Sequence, residues 1–447
     1  MTTPICDFVR KYAESGSVRL HMPGHKGVSA LGMESLDITE IQGADCLYTA
    51  DGIIAESERN AGELFGAHTF YSAEGSSLCI RAMLLLTVRY AREQGRRPLI
   101  LAARNIHRAF MSAVALLDLE VEWLWADGED GYLCCLPDPD RLDRALSEAA
   151  QKPVALYITS PDYLGNVADV EGISKVCHKH GVLLLVDNAH GAYLKFLTPS
   201  LHPIDLGADA CCDSAHKTLR ALTGAAYLHV SKRAPTVFSE GAKNALLTFG
   251  STSPSYLILQ SLDALNARLS CGYTEDLAST VRTLDVCRQR LSEAGYTLVG
   301  NEPLKLTLSP KEYGYEGTEL AEILLNGGMV CEFADRDYVV MMITPEISAE
   351  QAERLTDALC AIPKRPPISE PAPPIPKCEA VTSVRDAYLS PSCRLPVNEC
   401  VGRVLAEPSV SCPPAVPIVI CGEKITPDAV RCFEYYGVKE CFVIKRR

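Results

Sequence analysis

An imidazole beside an amine, His216-Lys217 in SAHK (214–217), follows a short apolar run and precedes TLRALTG. A lysine at the edge of a buried sheet can act as an amine nucleophile and form a Schiff base. A lysine in a surface turn is ordinarily a solvated charge, so both readings are open for this motif taken alone. Thirty residues earlier, VDNAHG (186–191) ends the most apolar run of the chain on Asp187. A carboxylate there needs a partner, because an unpaired buried charge is costly. The partner is either the start of a helix, with Asp187 as its cap, or a cationic heterocycle nitrogen. The spacing is about one β-α-β excursion, so Asp187 and Lys217 can reach the same sheet edge. EGSSLCIRAMLLL, from Glu74, places a Gly-Ser-Ser turn before an amphipathic run. Gly75, Ser76 and Ser77 at a helix N-terminus suit a phosphate, and the same letters suit plain capping. In ARNIHRAF (103–110), His107 either lies flat on an aromatic ring or is a satisfied core histidine.

Taken together, the four elements supply in chain order a phosphate site, a ring-stacking histidine, a nitrogen-facing carboxylate and an imine-forming lysine. Those are the contacts that pyridoxal 5′-phosphate requires.

The elements that must position these groups follow from patterning. Short apolar runs at 97–103, 121–126, 154–159, 181–187, 208–212 and 225–230 alternate with helical patterns at 76–94, 107–117 and 169–180. Several runs are apolar on both faces, which suits a mainly parallel sheet sandwiched by helices. A helix from about 256, YLILQSLDALNARL, leads into a smaller α+β region. The stretch 363–376 holds seven prolines, so it is neither helix interior nor central strand and reads as a linker. About 70 residues lie beyond it.

Composition excludes several function classes. Lys+Arg 43 against Asp+Glu 56 gives a net charge of −13, which argues against a nucleic-acid partner. With no apolar run near the roughly 20 residues that span a bilayer, and no basic-then-apolar start, a membrane role is not expected and the compartment expected is the cytoplasm. The 19 cysteines contain no C-x-x-C, only the adjacent pairs Cys134-Cys135 and Cys211-Cys212. Those spacings do not suit a tetrahedral zinc site, so no metal is expected and the thiols read as small buried hydrophobes.

Beyond these four motifs, LHMPGHKG (20–27), DITEIQGAD (37–45), AGELFGAHTFY (61–71), TSPSYLILQSLD (252–263) and GRVLAEPSVSCPPAVPIVICGEKI (402–425) carry a resemblance over essentially the whole chain. The sequence resembles the fold-type-I pyridoxal phosphate enzymes, and within them the ornithine/lysine/arginine decarboxylases in a short form without the N-terminal receiver-like domain. The resemblance implies an α/β, aspartate aminotransferase-like fold. Its parts would be an arm at a dimer interface (1–30), a large cofactor-binding domain (31–255), a small α+β domain (256–362), the linker (363–377) and a C-terminal domain (378–447). It implies that Lys217 carries the cofactor with His216 near the phosphate and imine, and that Asp187 pairs with the ring nitrogen. Ala189 would pack under the ring, His107 would stack on it, and His190 would approach its hydroxyl. Gly75, Ser76, Ser77 and Ser214 would hold the phosphate.

The implied reaction is decarboxylation of arginine, lysine or ornithine to agmatine, cadaverine or putrescine, in polyamine-related metabolism, by a homodimer with a shared active site. Lys217 or His216 would return a proton to Cα. A basic substrate side chain calls for carboxylates; Asp45, Glu40 and Glu332 are available, although each such acid is more often a surface or structural one. Two departures stand out. The family's Asn-Gly-Ser-Ser-x-x-Asn is Glu74-Gly-Ser-Ser-Leu-Cys-Ile80 here, and Ala415 occupies a family glycine position. The alternatives are an aminotransferase, which would want an arginine such as Arg336 gripping the substrate carboxylate, another enzyme of the same fold, or a catalytically inactive paralogue.

Overall fold

The computed structural model describes residues 1–125, 131–408 and 415–446. The six apolar runs are strands, joined by one that the patterning did not mark: β1 (His68–Ser72), β2 (Leu99–Ala103), β3 (Glu120–Leu124), β4 (Ala155–Thr159), β5 (Leu183–Asp187), β6 (Ala210–Asp213) and β7 (Ala226–Val230). The last residue expected in β3, Ala126, lies outside the described residues. The sheet order is β1-β7-β6-β5-β4-β2-β3. Strands β5 and β6 pair in parallel, as do β2 and β3, whereas β7 runs antiparallel to both β1 and β6. Every residue of β2, β5, β6 and β7 is buried, as a sheet covered on both faces requires. The expected α/β class with a mostly parallel large sheet is the one observed.

The chain divides into two compact units. The first comprises Met1–Pro98, Asp143–Leu156 and Val170–Asp276. Its helix Gly75–Glu93 opens on Gly75 at φ +73°, a left-handed conformation that a side chain would strain. That helix buries Ile80, Met83, Leu84 and Val88, among others, and packs against Thr236–Phe249. Helix Tyr256–Leu269 brings two polar groups inside, each satisfied: Asp263 accepts from Ser57 Oγ (2.6 Å), and Asn266 Nδ2 donates to Tyr71 Oη (2.6 Å).

The second unit comprises Leu99–Leu142, Tyr157–Asp169 and Leu277–Arg447. It contains an antiparallel sheet of β8 (Thr297–Val299), β9 (Lys305–Ser309), β10 (Phe333–Ala334) and β11 (Val339–Met342), in the order β10-β11-β9-β8. Helix Ala349–Cys360 begins with a capping box: Ser348 Oγ accepts from Gln351 N, and the Gln351 side chain accepts from Ser348 N. Strands β12 (Ser392–Pro396) and β13 (Glu440–Ile444) pair over a core that includes Val397, Leu405, Ile418, Phe433 and Val443.

Residues 363–379 contain no helix or strand. They are nevertheless fastened: Arg365 N donates to Tyr313 O (3.1 Å) and Ile368 N to Lys311 O (3.0 Å). Among the described cysteines only Cys271 is exposed.

Candidate active site

Within the first unit, parallel pairing sets Asp187 opposite Cys212, so β5 and β6 end side by side. The two strand ends are cross-linked by hydrogen bonds: Asn188 N donates to Cys212 O (3.0 Å), and the Cys212 thiol donates to Asp187 Oδ1 (3.5 Å). Burial pushes that thiol far above its usual pKa, with Asp187 adding to the effect, so it remains a neutral donor. Asp187 Oδ1 also accepts from Ala189 N (3.2 Å), and both residues are buried.

After β6 the chain turns at Ser214 into the short helix Ala215–Thr218, which holds His216 and Lys217 half-buried. Lys217 Nζ lies 2.9 Å from Nε2 of His190. An ammonium can only donate, so in that state the imidazole accepts at Nε2. His216 Nδ1 is 2.9 Å from Ala225 O, where it must donate, which leaves Nε2 as the acceptor of the neutral ring. Burial lowers its pKa, and nearby Lys217 lowers it further, so His216 is a neutral base at neutral pH.

Helix Gly75–Glu93 begins at the same place: Ser214 Oγ donates to Ser76 Oγ (2.8 Å), linking two of the three serines named for a phosphate. Ser77 is half-buried. A Cβ built at Gly75 would meet nothing within 4 Å, so there is open room beside these hydroxyls. Glu74, exposed, turns its carboxylate to the backbone N–H of Ser251 (2.6 Å). That contact gives the departure at position 74 a local partner.

Asp45 is buried, and its carboxylate accepts from five backbone N–H groups, those of Cys46, Asp51, Gly52, Ile54 and Ala55. It ties a loop to the start of helix Ile53–Phe65, the structural role of such acids. Glu40 is exposed. In the second unit, Glu332 is exposed, accepts from Tyr163 Oη (3.2 Å), and lines a groove of about 400 Å³ with Met329, Met341 and Arg354.

His107 is also in the second unit, half-buried, as the cap of helix Arg108–Leu117, where its Nδ1 accepts from Ala109 N (3.1 Å). The next donor of that helix, Arg108 N, bonds to Ala415 O (2.9 Å). Ala415 has φ +59°, which explains why a glycine suits this position. The preceding part of the tail pattern, 409–414, lies outside the described residues.

Arg336, the candidate for gripping a substrate carboxylate, is held by two acids and an aromatic ring. Its Nε donates to Glu316 (2.9 Å), its Nη2 donates to Glu370 (2.9 Å), and its guanidinium lies 4.6 Å from the Tyr435 ring centre.

Sequence reading missed one buried cluster beneath the strand ends, formed by Asp213, Asn188, His202 and His229. The available signal was a histidine in the wholly apolar strand AYLHV, because a polar group there must have a partner.

Residues 3–299 match the family described as Orn/Lys/Arg decarboxylase, major domain. Along nearly the full length, the chain is 30% identical to an arginine decarboxylase of Bacillus subtilis (strain 168), covering 96% of this chain and 92% of the relative. It is 29% identical to an arginine decarboxylase of Halalkalibacterium halodurans, covering 95% and 91%. Among solved structures, the constitutive lysine decarboxylase of E. coli superposes with a TM-score of 0.77 at 17% identity, over 99% of this chain and 82% of that one. A NifS-like protein superposes at 0.57 and 12% identity, over 80% and 94%. The structural likenesses speak for the fold, and the sequence matches carry the assignment: the chain belongs to the Orn/Lys/Arg decarboxylase family.

Proposed function

We propose that this protein decarboxylates a basic amino acid, arginine in the first place, using pyridoxal 5′-phosphate held on Lys217. The observation that carries the reading is that one compact unit pairs the Lys217 amine with the His190 imidazole and Ser214 with Ser76, and holds the buried Asp187 carboxylate at the end of the strand beside the one leading to Ser214 and Lys217. The choice of arginine is supported by the named activity of the relatives that align along the whole chain.

The donor set fits the cofactor. There is room for a phosphate at Gly75 beside hydroxyls and the helix start. The buried Asp187 carboxylate suits a cationic nitrogen, and the buried Asn188 Oδ1 and Thr218 Oγ1 have no hydrogen-bond partner among the described residues. Bound there, the cofactor would supply a protonated ring that takes up the electron pair released when CO₂ leaves. Asp187 keeps the proton on the ring nitrogen by its charge. His107, Ala189 and His190 are the residues that would hold the ring, by stacking, by packing and at its hydroxyl, and Gly75, Ser76, Ser77 and Ser214 those that would hold the phosphate. His216, neutral with Nε2 available, accepts or relays a proton, and Lys217 returns one to Cα. Glu332 and Glu40 are the exposed acids proposed to attract the cationic side chain of the substrate.

On this reading the domains are those expected from the sequence, 1–30, 31–255, 256–362, 363–377 and 378–447, and the enzyme is a cytoplasmic homodimer with a shared active site in polyamine-related metabolism. The exposure of Val18 (81%), Leu20 (90%) and Leu31 (83%) supports a second copy covering this stretch. The ion pairs of Arg336 weigh against an aminotransferase. An inactive paralogue would bind the cofactor and release no CO₂.

The test is CO₂ release from arginine, lysine and ornithine with added pyridoxal phosphate. At least one is expected to react, and Lys217→Ala is expected to lose that activity by at least about a thousandfold, the scale for loss of an essential covalent group. Background release with all three overturns the proposal.

A further inference from the structure

Asp213 is completely buried, yet it is surrounded by donors rather than by a cation of lysine or arginine type. Asn188 Nδ2 donates to Oδ1 (2.7 Å), and Nε2 of both His202 and His229 lies 3.1 Å from Oδ2. With Cys211, whose sulfur is 4.0 Å from His202, this group has the residue types of a metal site. The hydrogen bonds argue against that use. His202 Nδ1 accepts from Ile204 N (3.4 Å), which places the proton of the neutral ring on Nε2, where it points at Asp213 and leaves no lone pair for an ion. His229 Nδ1 is likewise engaged, 2.9 Å from Thr69 Oγ1. The cluster is a hydrogen-bonded anchor for a carboxylate.

The position of this anchor in the chain gives it leverage. Asn188 stands between Asp187 and Ala189, two residues before His190; Asp213 immediately precedes Ser214 and lies four residues before Lys217. The Asn188–Asp213 bond therefore joins the loop that carries the ring-facing groups to the loop that carries the phosphate-facing hydroxyl and the amine. A 2.7 Å bond between two buried side chains has little slack, and misplacing catalytic groups by about 1 Å is enough to cost activity heavily.

We infer that Asp213 is a positioning residue that acts through Asn188 to set His190 and Asp187 against Lys217. This rests on the reading of Lys217 as the cofactor lysine. His202 and His229 hold the carboxylate in place from behind, and Asn188 transmits its position.

The experiment is a double-mutant cycle on cofactor affinity, read from the absorbance of lysine-linked pyridoxal phosphate and from its borohydride-stable adduct on the Lys217 peptide. Asp213→Asn and Asn188→Ala are each expected to weaken binding by about tenfold, and the double variant by no more than about twofold beyond either single one. Near-UV circular dichroism checks that each variant is folded. Losses that multiply, or an Asn188→Ala protein with wild-type affinity, overturn the proposal. If Asp213→Asn does not fold, Asn188→Ala decides alone: a tenfold loss supports the proposal and unchanged affinity overturns it. A folded wild-type protein that forms no adduct at Lys217 overturns the functional reading, and this inference with it; wild-type binding with multiplicative losses overturns only the inference.

Discussion

Two aspartates, one in each unit, show opposite charge behaviour. Asp213 is wholly buried, and burial pushes its pKa up, but two imidazoles and their hydrogen bonds outweigh that and hold the carboxyl well below the usual range. Asp335, only partly buried, accepts from Asp337 N and Tyr338 N on one oxygen (2.8 Å each), while its buried Oδ2 has no hydrogen-bond partner among the described residues. Burial, with neighbouring Asp337 adding repulsion, raises its pKa to about 6. The depth of a carboxylate thus does not decide its charge; the number and kind of donors do. Asp213, the deeper of the two, is the one that stays ionised.

The contrast can be broken in three ways. The largest effect is expected for Asp213→Ala, which leaves three buried donors facing an apolar gap and should cost about 3–5 kcal/mol in chemical unfolding. A loss below about 1 kcal/mol would mean that the donors find other acceptors.

Next is Asp335→Asn, which keeps the acceptor for both backbone N–H groups. A carboxyl whose pKa rises on folding favours the fold below its unfolded value and loses that contribution as pH climbs through the folded value, here between about 4 and 6. The variant is therefore expected to exceed wild type by about 2 kcal/mol at pH 7.5 and to match it near pH 4. Asp213 has the opposite sign: its contribution is complete above the ordinary carboxylate range and is lost only on stronger acidification, so a slope at that site between pH 5 and 8 would contradict the donor argument.

The smallest effect is expected at a backbone site with no titrating group. Ala415→Gly should relieve the left-handed strain at φ +59° and raise stability by about 0.5–1 kcal/mol, equally at both pH values. A pH-dependent gain there would show that the second unit responds to acid as a whole, and not through Asp335.

Much of this was legible in the letters. The six expected strands and the four expected helices appear within two or three residues of their proposed bounds, because short doubly apolar runs between turn residues have few other outcomes. Strand β1 escaped because its sequence, HTFYS, is polar at both ends and its first residue, His68, is exposed. Spacing brought only Asp187 and Lys217 to one sheet edge; Ser214 and His190 were named by the resemblance, and their contacts with Ser76 and Lys217 were not foreseen. Partner choice was beyond the reach of that order. Asp45 and Asp213 are the same letter, yet one gathers backbone N–H groups from its own loop and the other gathers side chains from β7, from 202 and from 188. Spacing encodes the first only weakly, and the second depends on which strands become neighbours.

The proline-rich strap from 363 onward bears on how this molecule can be cut. Tyr313 and Tyr315 direct their hydroxyls to the carbonyls of Ile362 and Pro363, and the Arg365 guanidinium covers the Tyr315 ring at 4.0 Å. A protease needs a length of loose, extended chain, and here the basic residues Lys364 and Arg365 sit where the backbone is already tied down. A fragment ended at Ile362 would strip the Tyr315 ring of its guanidinium cover and its hydroxyl of the Pro363 carbonyl. Any attempt to express the strap and the 70 residues after it apart from the rest would begin by tearing off this cover, so the useful scissors site lies elsewhere in the polypeptide.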